Sequence, residues 1–137
     1  CHKLQSITIP ANVTSIGDSA FLRCYNLQSV TIPASVKSIG NKAFCRCSSL
    51  TSITIPTSVK SIGNEAFCRC SSLSSIIIPT SVTSMGHAVF ELCEKMNSMV
   101  IPDFSKTTLI PYSFIFISQF RFHFTPMIKL TLLDFGK

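Results

Sequence analysis

"SVKSIGNKAFCRCSSLTSITIP", residues 35–56, is followed 23 positions later by "SVKSIGNEAFCRCSSLSSIIIP", residues 58–79. The two stretches differ at three of 22 positions, Lys42/Glu65, Thr51/Ser74 and Thr54/Ile77, so both must fold in the same way. The same step extends outward from this pair. Pro10, Pro33, Pro56, Pro79 and Pro102 keep the 23-residue interval, as do Gly17, Gly40, Gly63 and Gly86, and Phe21, Phe44, Phe67 and Phe90. Cys1, Cys24, Cys47, Cys70 and Cys93 fall on the same step, which puts Cys1 in the last part of a preceding repeat and leads to the expectation of further repeats upstream.

A fixed period of this length marks a solenoid of the leucine-rich-repeat type, because such a coil can form one strand, turn back and return to its start. Each unit reads L-x-S-I-T-I-P, then x-x-V-x-S-I-G, then x-x-A-F-x-x-C-x-x. Alternation along a strand places Leu50, Ile53 and Ile55 inward and leaves Ser52 and Thr54 facing out. Parallel strands stack ~4.8 Å apart, so each Ile lies over another and five rungs make a stack roughly 24 Å long. One rung alone cannot bury its apolar edge.

The punctuation has physical reasons. Proline lacks the N–H that an interior strand gives its neighbour, so the five prolines must lie just beyond the last paired donor and end each strand. The glycines are expected to take a backbone angle, or a close approach between coils, that a side chain would obstruct. Val36 and Ile39, with their equivalents, form a second short inward-facing segment, and the Phe series fills the wide end of the core. "AFCRC", residues 43–47, reads as a turn or a single helical turn, since the next strand starts soon after it.

The 137 residues, 46% of them apolar, suffice for a continuous core, which excludes disorder for most of the chain. Twelve Lys+Arg against six Asp+Glu give a net charge of +6, but the charges are scattered rather than clustered. No export signal is visible at the start of this chain. The longest apolar candidate for a membrane span, residues 108–118, is too short before Gln119, Arg121 and His123 intervene, so no transmembrane helix is expected.

The 23-residue unit, with its I-x-I-P, S-I-G and A-F-x-x-C, resembles the BspA-like leucine-rich repeat family of the Treponema pallidum type, found in surface proteins of bacteria and parasitic protozoa. The likeness covers residues 1–102. It implies a strand-rich leucine-rich-repeat solenoid, a right-handed superhelix with a parallel sheet and four to five rungs. It also implies cell-surface adhesion or protein binding, with no catalytic residues to transfer. The expected organisation is a solenoid over residues 1–103, with rungs starting near 4, 27, 50, 73 and 96, and a divergent tail or cap over residues 104–137. The register fails after Pro102, where Ser105, Thr108 and Leu109 stand in place of Val, Ile and Gly. Further on, Phe114, Phe116, Phe120, Phe122 and Phe124 share one parity, as in an amphipathic strand. Three readings of the tail stay open: a cap on the open end, a prematurely ended or out-of-frame repeat array, or a segment that associates with membrane or partner.

Cys45, Cys47, Cys68 and Cys70 form C-x-C-x20-C-x-C, a spacing that superficially fits a four-thiolate zinc site. The repeat accounts for it without a metal, and Cys24, Cys47, Cys70 and Cys93 read as small core side chains. Cys45 and Cys68, one rung apart, could form a disulfide if both face solvent. His2, His87 and His123 share no ligand spacing, no Ser/His/Asp set is framed by a motif, and nothing resembles a glycine-rich phosphate loop. No enzyme, no metal and no cofactor are therefore expected. Arg23, Arg46 and Arg69 form one column and Lys37 and Lys60 another. The arginine column ends at Leu92 and has no interleaved aromatic residue, so it reads as a solvated rim and no nucleic acid partner is expected. Asn12-Val13-Thr14 is a glycosylation sequon in an expected turn.

What remains as a binding surface is the outer strand face: Gln5, Ser6 and Thr8; Gln28, Ser29 and Thr31; Thr51, Ser52 and Thr54; Ser74, Ser75 and Ile77. It lacks charge and the Trp, Tyr and Arg that anchor tight interfaces, so weak contacts multiplied over many rungs are expected. The leading expectation is a non-catalytic adhesion or binding module of a cell-surface or secreted protein, with a protein or glycan ligand. The alternatives are an intracellular scaffold or a truncated repeat fragment, the latter self-associating end to end.

Overall fold

The strands are short and regularly spaced: β1 (Ser6–Thr8), β2 (Ser15–Ile16), β3 (Ser29–Thr31), β4 (Ser38–Ile39), β5 (Ser61–Ile62), β6 (Ser75–Ile77), β7 (Ser84–Met85), β8 (Ser98–Ile101) and β9 (Lys129–Leu132). This computed structural model describes residues 1–101 and the backbone of residues 129–132. The expected boundary near residue 103 and the Phe114–Phe124 pattern lie outside the described residues.

Every pairing is parallel. Ser6 faces Ser29, Ser75 faces Ser98, and Ser15, Ser38, Ser61 and Ser84 stand in one row. Each of these partners lies one repeat further along the chain, so one copy of the repeat makes one coil of a parallel-sheet solenoid. β9 then joins β8 with Ser98 opposite Lys129, a step longer than the repeat.

The second-strand ladder β2-β4-β5-β7 runs unbroken, whereas the first divides into β1-β3 and β6-β8-β9. The rung between them, residues 51–56, forms no regular strand, although its side chains keep their places. Ile53 and Ile55 are only 7% and 5% exposed, and Ser74 N–H still donates to the Thr51 carbonyl at 3.3 Å. Burial of the isoleucines holds the file where the backbone ladder lapses.

The core is a set of files along the stack: Leu27, Leu50 and Leu73; Val36, Val59 and Val82; Ile16, Ile39, Ile62 and Met85; Ile9, Ile32, Ile55 and Ile78. Phe21, Phe44, Phe67 and Phe90 stack at centroid spacings of 5.2, 5.4 and 5.8 Å, with planes within 9° of parallel. That spacing lies close to the rung step and within the range favoured by offset aromatic pairs, so coil geometry and ring packing agree.

The third side of each coil is made of turns, as "AFCRC" foretells. In the first coil Ala20, Leu22 and Cys24 donate back along the turn to Gly17, Ser19 and Phe21, while Ser19, Phe21 and Arg23 donate to the Asn41, Ala43 and Cys45 carbonyls of the next coil. Successive N–H groups thus close the turn and bind the stack in alternation. The alternation uses left-handed backbone at two sites per coil, with φ between 55° and 65° at Ser19, Arg23, Lys42, Arg46, Glu65, Arg69, Ala88 and Leu92. None of these is glycine or asparagine, the residues that adopt this conformation most readily.

The glycines answer to the other requirement, close approach. A Cβ on Gly63 would sit 2.6 Å from Asn41 N, and one on Gly40 2.6 Å from Asp18 N, whereas Gly17 has nothing within 4 Å. The crowding comes from a polar file. Asn41 N–H donates to Asp18 Oδ1 at 2.7 Å, Asn64 N–H to Asn41 Oδ1 at 2.8 Å, and His87 N–H to Asn64 Oδ1 at 3.0 Å.

Candidate functional site

The residues of the outer strand face lie on the solvent side of the coils. Of the residues assigned to it, Gln5, Ser6, Thr8, Gln28, Ser29, Thr31, Thr51, Ser52, Thr54, Ser75 and Ile77 are exposed, and Ser74 is half-buried. Parallel register puts Ser6 beside Ser29 and Thr8 beside Thr31. In the Thr8/Thr31/Thr54 column the fourth place is taken by Ile77, which is 65% exposed. The next rung of that column carries Val100, half-buried beside Ile77, so the hydroxyl column gives way to apolar side chains over its last two rungs. Asn12 of the sequon lies exposed in the turn after Pro10.

The cysteines separate into two groups that the C-x-C spacing runs together. Cys47, Cys70 and Cys93 point into the core, and their thiols donate to the carbonyls of Phe21, Phe44 and Phe67 at 3.2, 3.1 and 3.1 Å. Each of these carbonyls also accepts an N–H from its own turn. The thiol therefore occupies a second lone pair that would otherwise be buried without a partner. The expectation of a merely small, apolar side chain missed this donor. Burial holds all these thiols protonated: it raises Cys70 and Cys93, and pushes Cys47 up to about 12 with Cys24 adding to the effect.

Cys45 and Cys68 point elsewhere, into a groove of about 260 Å³ on the turn side, which Lys42, Arg46, Glu65, Arg69 and Glu91 also line. The condition set for a disulfide, that both face solvent, is not met: they are 5% and 3% exposed and carry free thiols, like all seven cysteines. The sulfur of Cys45, that of Cys68 and a carboxylate oxygen of Glu65 lie within 4.8 Å of one another. Cys68 Sγ–H is directed at Glu91 Oε2, 3.9 Å away. Burial raises both thiols, and with Cys45, Glu91 and Glu65 adding to its effect Cys68 is pushed up to about 12.

The arginine column read as a solvated rim therefore borders this groove, and Arg46 is half-buried in it. The repeat signal for the groove lies in the column Leu22, Cys45, Cys68, Glu91, each one repeat after the last. His2 is exposed and stacks on Tyr25 at 5.8 Å, and His87 is exposed further along the stack; His123 lies outside the described residues. Among the described residues no helix is long and apolar enough to cross a membrane.

The family model described as "BspA type Leucine rich repeat region" matches residues 1–131 in six copies. The chain is similar to a leucine rich cell surface protein from Faecalibacterium prausnitzii, with 32% identity and a TM-score of 0.75 over 97% of this chain and 32% of that one. It also resembles the Treponema pallidum leucine rich repeat protein, with 24% identity and a TM-score of 0.61 over 72% of this chain and 59% of that one. A third likeness is to the pneumococcal vaccine antigen PcpA, with 24% identity and a TM-score of 0.70 over 73% of this chain and 25% of that one. The last two show the fold alone. No curated protein matches this chain significantly. The chain spans about a third of the Faecalibacterium protein's length. With its period, register and turn chemistry accounted for and the family model matched almost end to end, the chain belongs to the BspA-type leucine-rich-repeat family.

Proposed function

We propose that this chain is a non-catalytic binding module of a cell-surface or extracellular protein, and that a protein or glycan ligand docks on the outer strand face. The observation that carries the reading is the row-by-row exposure of Gln5, Ser6, Thr8 and their equivalents on a parallel stack, with the uncovered Ile77 among them. Hydroxyl and amide groups at the rung spacing offer repeated hydrogen bonds to an extended ligand, and Ile77 offers an apolar anchor. Single contacts of this kind are weak, so useful affinity comes from several copies acting together. That the Faecalibacterium relative is a cell surface protein supports the location.

The test uses the chain displayed as a tetramer against arrays of glycans and of extracellular proteins. Binding that appears with the tetramer and disappears in a Ser29→Glu/Ser52→Glu/Ser75→Glu variant supports the reading. Binding unchanged by that variant but abolished by substitutions at Lys37 and Lys60 would move the site to another face. Location is tested by protease treatment of intact cells that make the protein, where full protection would count against exposure at the surface. Seven free thiols favour a second reading, an intracellular scaffold, and that protection would be its support.

A further inference from the structure

Cys45, Cys68 and Glu91 occupy one repeat position on three successive coils, and Glu65 reaches the same point from the neighbouring column. The file begins at the apolar Leu22, and all four donors line the one groove. We propose that these four side chains bind a thiophilic divalent cation, Zn2+ in the first instance, as an S2O2 site on the turn side of the solenoid. This site is independent of the strand-face ligand.

The geometry is close to what the ion requires. Tetrahedral zinc with bonds of about 2.3 Å to sulfur and about 2.0 Å to oxygen places its sulfurs about 3.8 Å apart and each sulfur about 3.5 Å from an oxygen. Cys45, Glu65 and Cys68, within 4.8 Å of one another, need contractions of up to about 1.0 Å between sulfurs and about 1.3 Å from sulfur to oxygen, and Glu91, 3.9 Å from Cys68, must swing inward to join that group. Rotation of the Glu65 and Glu91 side chains, both half-buried, can supply much of it. Neither carboxylate is tied up in an ion pair among the described residues, although Lys42, Arg46 and Arg69 stand at the rim. Binding replaces the S–H protons of Cys45 and Cys68 with the ion and releases both protons to solvent, with no change in oxidation state. Two thiolates and two carboxylates around Zn2+ leave a net charge of −2, which the rim cations offset. The donors also explain why a buried cysteine pair should share a groove with two acids: a disulfide would use the sulfurs and leave the carboxylates without a role.

The experiment takes the full chain carrying Cys1→Ser, reduced and freed of metal, and titrates it with Zn2+ and with Co2+. The expected result is one ion per chain, a thiolate-to-cobalt charge-transfer band with the intense visible bands of a four-coordinate ion, and displacement of cobalt by zinc. In the same folded chain, zinc should slow alkylation of Cys45 and Cys68 at least tenfold, and that of Cys24 and Cys47 little. Glu65→Gln/Glu91→Gln, which spares the sulfurs, should weaken binding about tenfold or more, and Cys45→Ser/Cys68→Ser at least a hundredfold. Footprinting of the unsubstituted sulfurs keeps the test valid if the serine variant fails to fold. The proposal is overturned if cobalt gives no charge-transfer band, if uptake survives both double variants, or if the two cysteines prove to be disulfide-bonded and the reduced chain takes up no ion.

Discussion

Replacing Gly63 with alanine tests how tightly the coils are laid on one another. The new Cβ would stand 2.6 Å from Asn41 N and 2.7 Å from the Gly40 carbonyl carbon, against ordinary contacts of 3.4 Å or more, and both neighbours are backbone. Relief requires the coils to part locally by about 0.8 Å, which would stretch the Asn64 N–H bond to Asn41 Oδ1, now 2.8 Å, beyond useful range. Overpacking costs about 1–3 kcal/mol and the lost hydrogen bond about 1 kcal/mol, while the stiffer unfolded chain returns about 0.4–1 kcal/mol. Gly63→Ala should therefore be destabilised by about 2–3 kcal/mol. Gly17→Ala removes the same hydrogen in the same repeat position, but nothing lies within 4 Å of it, so it should be neutral or stabilised by up to about 1 kcal/mol. Urea unfolding at room temperature followed by circular dichroism measures both, and with a slope of roughly 1–2 kcal/mol/M the midpoints should differ by about 1–4 M. Equal midpoints for the two variants would refute the reasoning, because intrinsic glycine effects would then outweigh contact between coils.

The other expectations follow the same files. Phe44→Ala removes the ring between Phe21 and Phe67 and should cost about 3–5 kcal/mol in the same urea titration, with Phe44→Leu retaining most of the stability. Asn41→Asp should be tolerated, because Asp18 already serves as the acceptor one coil earlier, whereas Asn41→Leu should cost about 1–2 kcal/mol by leaving Asn64 N–H without its partner. The core thiols make the fold sensitive to alkali. Their folded pKa values are raised, so their contribution is complete below the unfolded value near 9 and is lost as pH rises through the folded one, about 12 for Cys47. Stability should fall above pH 9 by up to about 1.4 kcal/mol per pH unit per thiol, and Cys47→Ala should flatten the profile while lowering stability at neutral pH, both read from urea midpoints across the pH range.

Much of the coil could be read in the sequence because period and parity are properties of spacing alone. The files of Leu50, Ile53, Ile55 and Phe44 follow from a 23-residue step and the twofold alternation of a strand, and they appear in register. The left-handed turn residues could not be read: Lys42, Arg46, Glu65 and Arg69 carry no glycine signature, and their conformation is imposed by N–H bonds to the next coil. The loss of strand pairing over residues 51–56 has no mark either, since that segment differs from 74–79 only at Thr51/Ser74 and Thr54/Ile77. The donor role of Cys70 was hidden because a buried cysteine and a small apolar residue look alike until a carbonyl is seen 3.1 Å away. The groove was legible in the column Cys45, Cys68, Glu91, but that column runs across the coils, whereas the C-x-C pattern runs along the chain.

One repeat word makes one coil, and a pair of engineered cysteines tests this most directly. Ser38 and Ser61 are partners on adjacent strands, so their Cα atoms lie about one rung, ~4.8 Å, apart, within the span of a disulfide. Ser38→Cys/Ser61→Cys should close on mild oxidation to a single cross-linked peptide found by mass spectrometry. Ser15→Cys/Ser61→Cys, two rungs or ~9.6 Å apart, should stay open. An open first pair, or a closed second one, would contradict the 23-residue coil.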